Sequence, residues 1–376
     1  MSVENIHVAI RIRPMSESED QVSRCAVCVP TAQPTVVVQA SDGQIKSFTY
    51  DHCFSSLEVS NDQGTQEKVY SEIGADLVTS ALEGYNCCLF AYGQTGAGKS
   101  HTMIMDHPAL GVIIPGLVEA ACQTALEARV SRKLIKFGLK KRVTSATIMN
   151  NTSSRSHAVF ILKVQRLPRG ERSEALNARM NLVDLAGSER HKHMDSQGAT
   201  FKEGCAINQS LSALALVIKE LGEQQARSFN RQRTRTFSGP LSLGPANGSP
   251  VPESNKEAVP FRASKLTFLL RDSLAGNSRS RMVAAISPAA INVDETISTL
   301  RFASSVKQVK TNASVNVDQK TGVVQHLQAG QSDKPWPLPC ALFIPTTKLL
   351  MGAMPVVAPA LIAKPPQHMP CIRHPE

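Results

Sequence analysis

Apolar residues alternate with basic ones from Ile6 to Arg13, with Ile6, Val8, Ile10 and Ile12 set against His7, Arg11 and Arg13; this predicts a strand stopped by Pro14. Val36–Val38 and Phe48–Phe54 supply two more short β-like runs. Between Gln66 and Leu82 the spacing changes to that of a helix through Val69, Ile73, Leu77, Val78 and Leu82, with an end near Gly84. The unbroken apolar run Cys87–Tyr92 predicts a buried strand that feeds directly into a glycine-rich turn. Ala158–Val164 and Arg179–Leu185 predict further strands, and Ala206–Leu221 a helix. Residues 223–259 are rich in Arg, Ser, Gly, Pro and Asn and predict a long exposed basic loop. Lys265–Leu274 and Thr296–Lys310 predict helices on either side of a strand at Arg281–Ile286. This alternation indicates a three-layer α/β domain over residues 1–316. Residues 317–376 are punctuated by proline, lack heptads and predict an irregular or disordered tail.

Composition narrows the setting. At 376 residues and 42% hydrophobic content, the chain has enough apolar side chains for one large core or two modest ones. No apolar run approaches the length of a membrane span, and the charged stretch Met1–Pro14 does not resemble a secretory leader, so an intracellular protein is expected. The nine cysteines are scattered and read as free thiols; Cys25 and Cys28 form a single CxxC without the second pair of a zinc module. A net charge of +10 favours an acidic partner. With 5% aromatics and no ribonucleoprotein, zinc-finger or helix-turn-helix pattern, nucleic acid is not the expected one.

Three stretches carry candidate chemistry. Gly93-Gln94-Thr95-Gly96-Ala97-Gly98-Lys99-Ser100 has the phosphate-loop spacing GxxxxGK[ST], placed between a strand and a helix as its mechanism requires. Backbone N–H groups would cradle phosphate oxygens, Lys99 would meet the β- and γ-phosphates, and the Ser100 hydroxyl would ligate Mg²⁺. In Asn181-Leu182-Val183-Asp184-Leu185-Ala186-Gly187-Ser188-Glu189 a strand delivers Asp184, a metal candidate, and then Gly187, which has no side chain to block a terminal phosphate. Taken alone, that stretch also suits a strand end with an N-cap aspartate. Asn150-Asn151-Thr152-Ser153-Ser154-Arg155-Ser156-His157 gathers hydroxyls and one guanidinium before a strand, which suits a phosphate-sensing switch or an ordinary polar loop.

GQTGAGKS, NxxSSRSH and DLAGSE in this order resemble the kinesin family, and the likeness extends from about Ile6 to Asn316 through Arg11-Ile12-Arg13-Pro14, Phe90-Ala91-Tyr92 and Asn208-Gln209-Ser210-Leu211. The resemblance implies a P-loop NTPase-type mixed central sheet flanked by helices on both faces, and a microtubule-stimulated ATPase with ATP and Mg²⁺. It also implies that Arg11, Pro14 and His101 flank the adenine, and that Ser153 and Ser154 approach the γ-phosphate and the metal. Arg155 would pair with Glu189 as the gate, beside Gly187. Tubulin is acidic, so Lys192, Lys202, Arg262, Lys265 and Arg271 become the microtubule candidates, joined by Arg227, Arg231, Arg233 and Arg235 of the basic loop. Thr311–Val317 matches the neck linker, and the absence of heptads after it implies a monomer in the cytoplasm, on the microtubule cytoskeleton.

Glu83-Gly84-Tyr85-Asn86 and the GAGKS form of the loop are most similar to the vesicle-transporting, monomer-prone kinesins. One departure stands out. Asn150 follows Lys99 by only 51 positions, where kinesins have a longer stretch, and the join falls near Ala128–Lys136. The fold is therefore expected to lack part of one sheet edge. The rival expectation is a protein that holds nucleotide and microtubules without turnover.

Overall fold

The computed structural model describes residues 2–30, 33–57, 64–103, 133, 137–138, 156–166, 175–189, 199–237, 258–317 and 350–353; of 2, 199–207, 228–237 and 350–353 only the backbone course is described. Along the chain these residues form β1 (Ser2–Asn5), β2 (His7–Ile12), α1 (Glu17–Val22), β3 (Val27–Cys28), β4 (Thr35–Gln39), β5 (Ile45–Thr49) and β6 (His52–Ser55). Then come α2 (Gln66–Val69), a π turn at Tyr70–Gly74, α3 (Ala75–Leu82), β7 (Cys87–Tyr92), α4 (Lys99–Met103), β8 (Ala158–Arg166) and β9 (Leu176–Asp184). The long helix α5 (Ala199–Phe237) precedes α6 (Lys265–Ala275), β10 (Arg279–Ile286), α7 (Val293–Lys307), β11 (Lys310–Ala313) and β12 (Leu350–Ala353).

Seven strands build the central sheet in the order β12-β8-β9-β7-β10-β2-β6. The inner pairs β9/β7, β7/β10, β10/β2 and β2/β6 are parallel, while β8/β9 and β12/β8 are antiparallel. The sheet is mixed, as expected. The two-residue side-chain period of a strand splits the core between its faces. Val8, Ile10 and Ile12 of β2 pack on one side with Leu214 of α5, Leu266 of α6 and Leu300 of α7. Ala9 faces the other side, among Val69, Ile73 and Leu77 of the α2–α3 segment and Leu89 of β7. Both faces are thus covered, which explains why Cys87–Tyr92 is apolar at every position and buried throughout.

Two expectations need correction. Residues 223–237 are not loop: they continue α5 to Phe237. Their sequence holds Glu, Gln, Ala and Arg, which are good helix formers, and Glu223, one turn from each, accepts from Arg227 at 3.0 Å and forms an ion pair with Lys219 at 3.9 Å. A helix that is polar all round has no apolar period to betray it. Residues 238–257, the rest of that expected loop, lie outside the described residues. Within the tail, Leu350–Ala353 is a strand rather than irregular chain, and it takes the outer edge of β8. The join near Ala128–Lys136 lies outside the described residues but for Lys133. The last helix also starts and ends three residues earlier than predicted, at Val293 and Lys307, because Lys310 begins β11.

The expected linker runs along the body of the domain. β11 pairs antiparallel with β1, and Val315 and Val317 bridge to Tyr85 and Leu176. Asn316 donates to the Gly84 carbonyl through both its backbone and its side-chain amide at 2.9 Å.

Candidate functional site

β7 and β9 are adjacent and parallel, with Ala91 opposite Asp184, so both release their following loops at the same edge of the sheet. From β7 the chain turns through Gly93–Gly98 and enters α4 at Lys99. Gly96 and Gly98 hold φ of 77° and 100°, and a Cβ on either would project into open space, so the loop's backbone lines an accessible cradle. From β9 the chain delivers Asp184, fully buried, to within hydrogen-bond reach of that loop. The Ser100 hydroxyl donates to Asp184 Oδ2 at 2.7 Å. Two hard oxygen donors on neighbouring elements fit a small divalent cation such as Mg²⁺, with phosphate oxygens completing its shell.

Beyond Asp184 the turn is pinned to the loop at successive points. Leu185 N donates to Ala91 O at 3.3 Å and Ser188 N to Gly93 O at 3.1 Å. The Glu189 carboxylate accepts from Thr95 N at 2.7 Å and from the Thr95 hydroxyl. Burial pushes this carboxyl up, but the Thr95 side-chain and backbone hydrogen bonds outweigh it, with Lys99 helping, and hold it below the usual range. Gly187 is closely approached: a Cβ there would run into Thr95 Oγ1 and both carboxylate oxygens of Glu189, so those side chains would have to shift.

Lys99 is turned into the loop rather than toward solvent. It is buried, and its ammonium donates to the Gly93 and Gln94 carbonyls, each at 2.8 Å. Arg11 is also turned inward, 7% exposed, rather than standing free beside an adenine site. It donates to Gln66 Oε1, to Thr102 Oγ1 at 3.0 Å and to the Gly64 carbonyl at 3.0 Å, so it braces α4 against β2, and burial lowers its pKa to about 10. His101 is exposed at the end of this bracing group, its carbonyl accepting from Gln66 Nε2 at 2.9 Å. Pro14 lies at the same rim, its carbonyl accepting from Arg13 at 2.9 Å.

Arg13 was not among the sequence candidates. Its Nε donates to the Gly96 carbonyl at 2.8 Å while its two terminal nitrogens grip Glu19 at 2.6 Å each. Glu19 closes a capping box on Ser16 at the start of α1. The signal was present as Ser16-Glu17-Ser18-Glu19, the S-x-x-E of a helix start. His157 is the second residue passed over: it lies between the turn after β9 and helix α5.

Gly93, Gln94, Thr95, Gly96, Ala97, Gly98, Lys99, Ser100, Asp184, Gly187 and Glu189 are therefore brought together. Ser153, Ser154 and Arg155 lie outside the described residues. Of the basic candidates, Arg262, Lys265, Arg271 and Arg227 are exposed, and α6 packs on α5. Lys192 lies outside the described residues, and Lys202, Arg231, Arg233 and Arg235 lie on α5 where only the backbone course is described. Among the described residues no group of three His, Cys, Asp or Glu side chains is placed to hold a metal, and no helix is long and apolar enough to cross a membrane.

A strand–GxxxxGKS–helix unit beside a strand ending in aspartate, on a mixed sheet covered on both faces, defines a P-loop nucleotide-binding protein. The family is more specific still. The kinesin motor domain model matches residues 11–123 and 104–309, and the chain belongs to the kinesin motor family. It is 32% identical over 396 residues to the kinesin-like protein KIF1B of Rattus norvegicus, covering 87% of this chain and 20% of that protein. It is 32% identical over 390 residues to the kinesin-like protein unc-104 of Caenorhabditis elegans, covering 86% and 23%. The chain thus spans about a fifth of the length of these curated relatives. Among solved structures, a KIF14 dimer with both heads bound, in complex with AMP-PNP and a microtubule, superposes with a TM-score of 0.68 at 31% identity. That match covers 86% of this chain and 99% of the other. A fast kinesin gives 0.67 at 28% identity, covering 84% and 94%.

Proposed function

We propose that this chain binds MgATP between the Gly93–Ser100 loop and the turn after Asp184, hydrolyses it, and couples that cycle to microtubule binding and linker movement. The observation that carries the reading is the Ser100–Asp184 contact at 2.7 Å across the ends of two adjacent parallel strands. Ser100 and Asp184, with Ser154, would hold Mg²⁺, which when bound supplies charge neutralisation for the terminal phosphates. The loop amides and Lys99 bind and orient those phosphates; to do so Lys99 exchanges its bonds to the Gly93 and Gln94 carbonyls for phosphate oxygens. Glu189 sits on Thr95 in place of such an anion. An incoming γ-phosphate competes with it there, and a displaced Glu189 is free to pair with Arg155 and close the site around attacking water. Pro14, Arg13 and His101 form the rim on the adenine side, with Arg11 bracing α4 from behind.

The partner follows from charge and kinship. Arg262, Lys265 and Arg271 are exposed on and just before α6, Arg227 is exposed on α5, and the KIF14 structure is a microtubule complex. Such a face suits the acidic tubulin surface, with affinity that falls as salt rises. We place the protein on cytoplasmic microtubules as a monomer, nearest in character to the vesicle-transporting kinesins.

A second reading has its own support. The family model matches in two stretches that overlap at 104–123, beside the expected shortened segment. A protein lacking part of the motor there would hold nucleotide and microtubules without turnover. Phosphate release with and without microtubules separates the two readings: stimulation supports the motor, and co-sedimentation without stimulation supports the binder.

A further inference from the structure

The β8/β9 ladder ends at the pair Ala158–Asp184, and the turn that follows carries the groups that face the nucleotide loop. Two residues further on, the Ala186 amide donates at 3.0 Å not to a backbone carbonyl but to Nδ1 of His157, which lies one residue before β8. On the other side of the ring, Nε2 lies 2.7 Å from Ser210 Oγ on α5. Because Nδ1 accepts a backbone N–H, the proton of the neutral ring is on Nε2, and Nε2 donates to Ser210. One imidazole therefore joins three parts: the end of the serine-rich segment, the turn bearing Gly187 and Glu189, and the helix that packs against the basic face.

We infer that His157 is a positioning residue, a side-chain rod that carries displacement of the Ala186–Glu189 turn to α5 and so to the partner-binding face. Its two hydrogen bonds act in series. Breaking either one uncouples the turn from the helix, and breaking both does no more than breaking one. This inference rests on the motor reading, since it needs a nucleotide-dependent partner affinity to transmit.

The test uses the whole chain and brain-tubulin microtubules. Dissociation constants from co-pelleting are measured in ADP and in AMP-PNP, and their ratio is the readout. His157→Gln keeps reach toward Ser210 but loses the acceptor for Ala186. His157→Asn keeps an acceptor near Ala186 but loses Ser210, as does Ser210→Ala. Loss of either hydrogen bond, or of both, is expected to reduce the ratio by about fivefold, the equilibrium worth of one such bond. The double variant His157→Gln with Ser210→Ala, which loses both bonds, is expected to match the singles. A role confined to packing lowers the melting temperature and leaves the ratio alone. Should the His157 variants fail to fold, Ser210→Ala still decides. If wild type shows a ratio well above one and the variants keep it, the inference falls while the motor reading stands. A wild-type ratio near one overturns the motor reading, and this inference with it.

Discussion

Lys99→Ala probes the nucleotide loop where its own packing and its proposed chemistry meet. Lys99 is 6% exposed, and its ammonium bonds two loop carbonyls at 2.8 Å each. A hydrogen bond to a charged group contributes about 1.5–3 kcal/mol, but the loop opens to water that can replace part of it, so the net cost should be about 3 kcal/mol. At roughly 2–4 °C per kcal/mol for a domain of this class, Tm falls by 6–12 °C. Loss of nucleotide binding alone, with the fold untouched, is what a solvent-facing lysine would give. Calorimetry of wild type and variant without nucleotide distinguishes these cases. A variant that melts within about 2 °C of wild type, against the shift expected from two lost bonds, would refute the structural role of this lysine.

Gly187→Ala should push a methyl into Thr95 and Glu189, lowering ATP turnover at least about tenfold while changing Tm little, because the turn lies at the sheet rim. Glu189→Gln should keep nucleotide affinity and lose hydrolysis by about 100-fold, which single-turnover phosphate release would show. Glu19 has its pKa lowered to about 2, chiefly by the Arg13 hydrogen bond against an opposing effect of burial. Its folded value lies below the ordinary carboxylate value of 4.5, so its stabilisation is complete above that value and is lost as pH falls toward 2. Up to about 3 kcal/mol should disappear over that window, and Arg13→Ala should flatten the slope in denaturant melts. Truncation after Val317 should uncover the outer edge of β8, which β12 otherwise pairs, and light scattering should detect self-association.

Much of the fold was legible because burial imposes periodicity. The strands at β2, β7, β8, β9 and β10 followed from alternation or unbroken apolar runs, and the α2–α3 segment from its helical spacing despite the π turn at Tyr70–Gly74. The second half of α5 was not legible, since a helix stabilised by Glu223 pairs and intrinsic propensity leaves no apolar stripe. β12 was hidden for the opposite reason: four residues in a proline-rich apolar stretch carry no pattern that names a distant partner strand. At the site, glycine and lysine spacing located the loop, because phosphate recognition constrains consecutive positions. The directions of side chains were out of reach. Arg11 and Arg13 read alike as basic residues around a strand end, yet one is buried against α4 and the other crosses to Gly96. Likewise the Thr95–Glu189 contact joins residues 94 positions apart, which no local spacing encodes.

The central claim is that one magnesium-bound triphosphate lies between the loop after β7 and the turn after β9. It is tested most directly by determining the structure of the chain with Mg²⁺ and AMP-PNP. Phosphates are expected along Gly96–Ser100, with the cation touching Ser100 and Asp184 and Glu189 withdrawn from Thr95. An analogue bound elsewhere, or Glu189 still seated on Thr95 beside a filled loop, would contradict it.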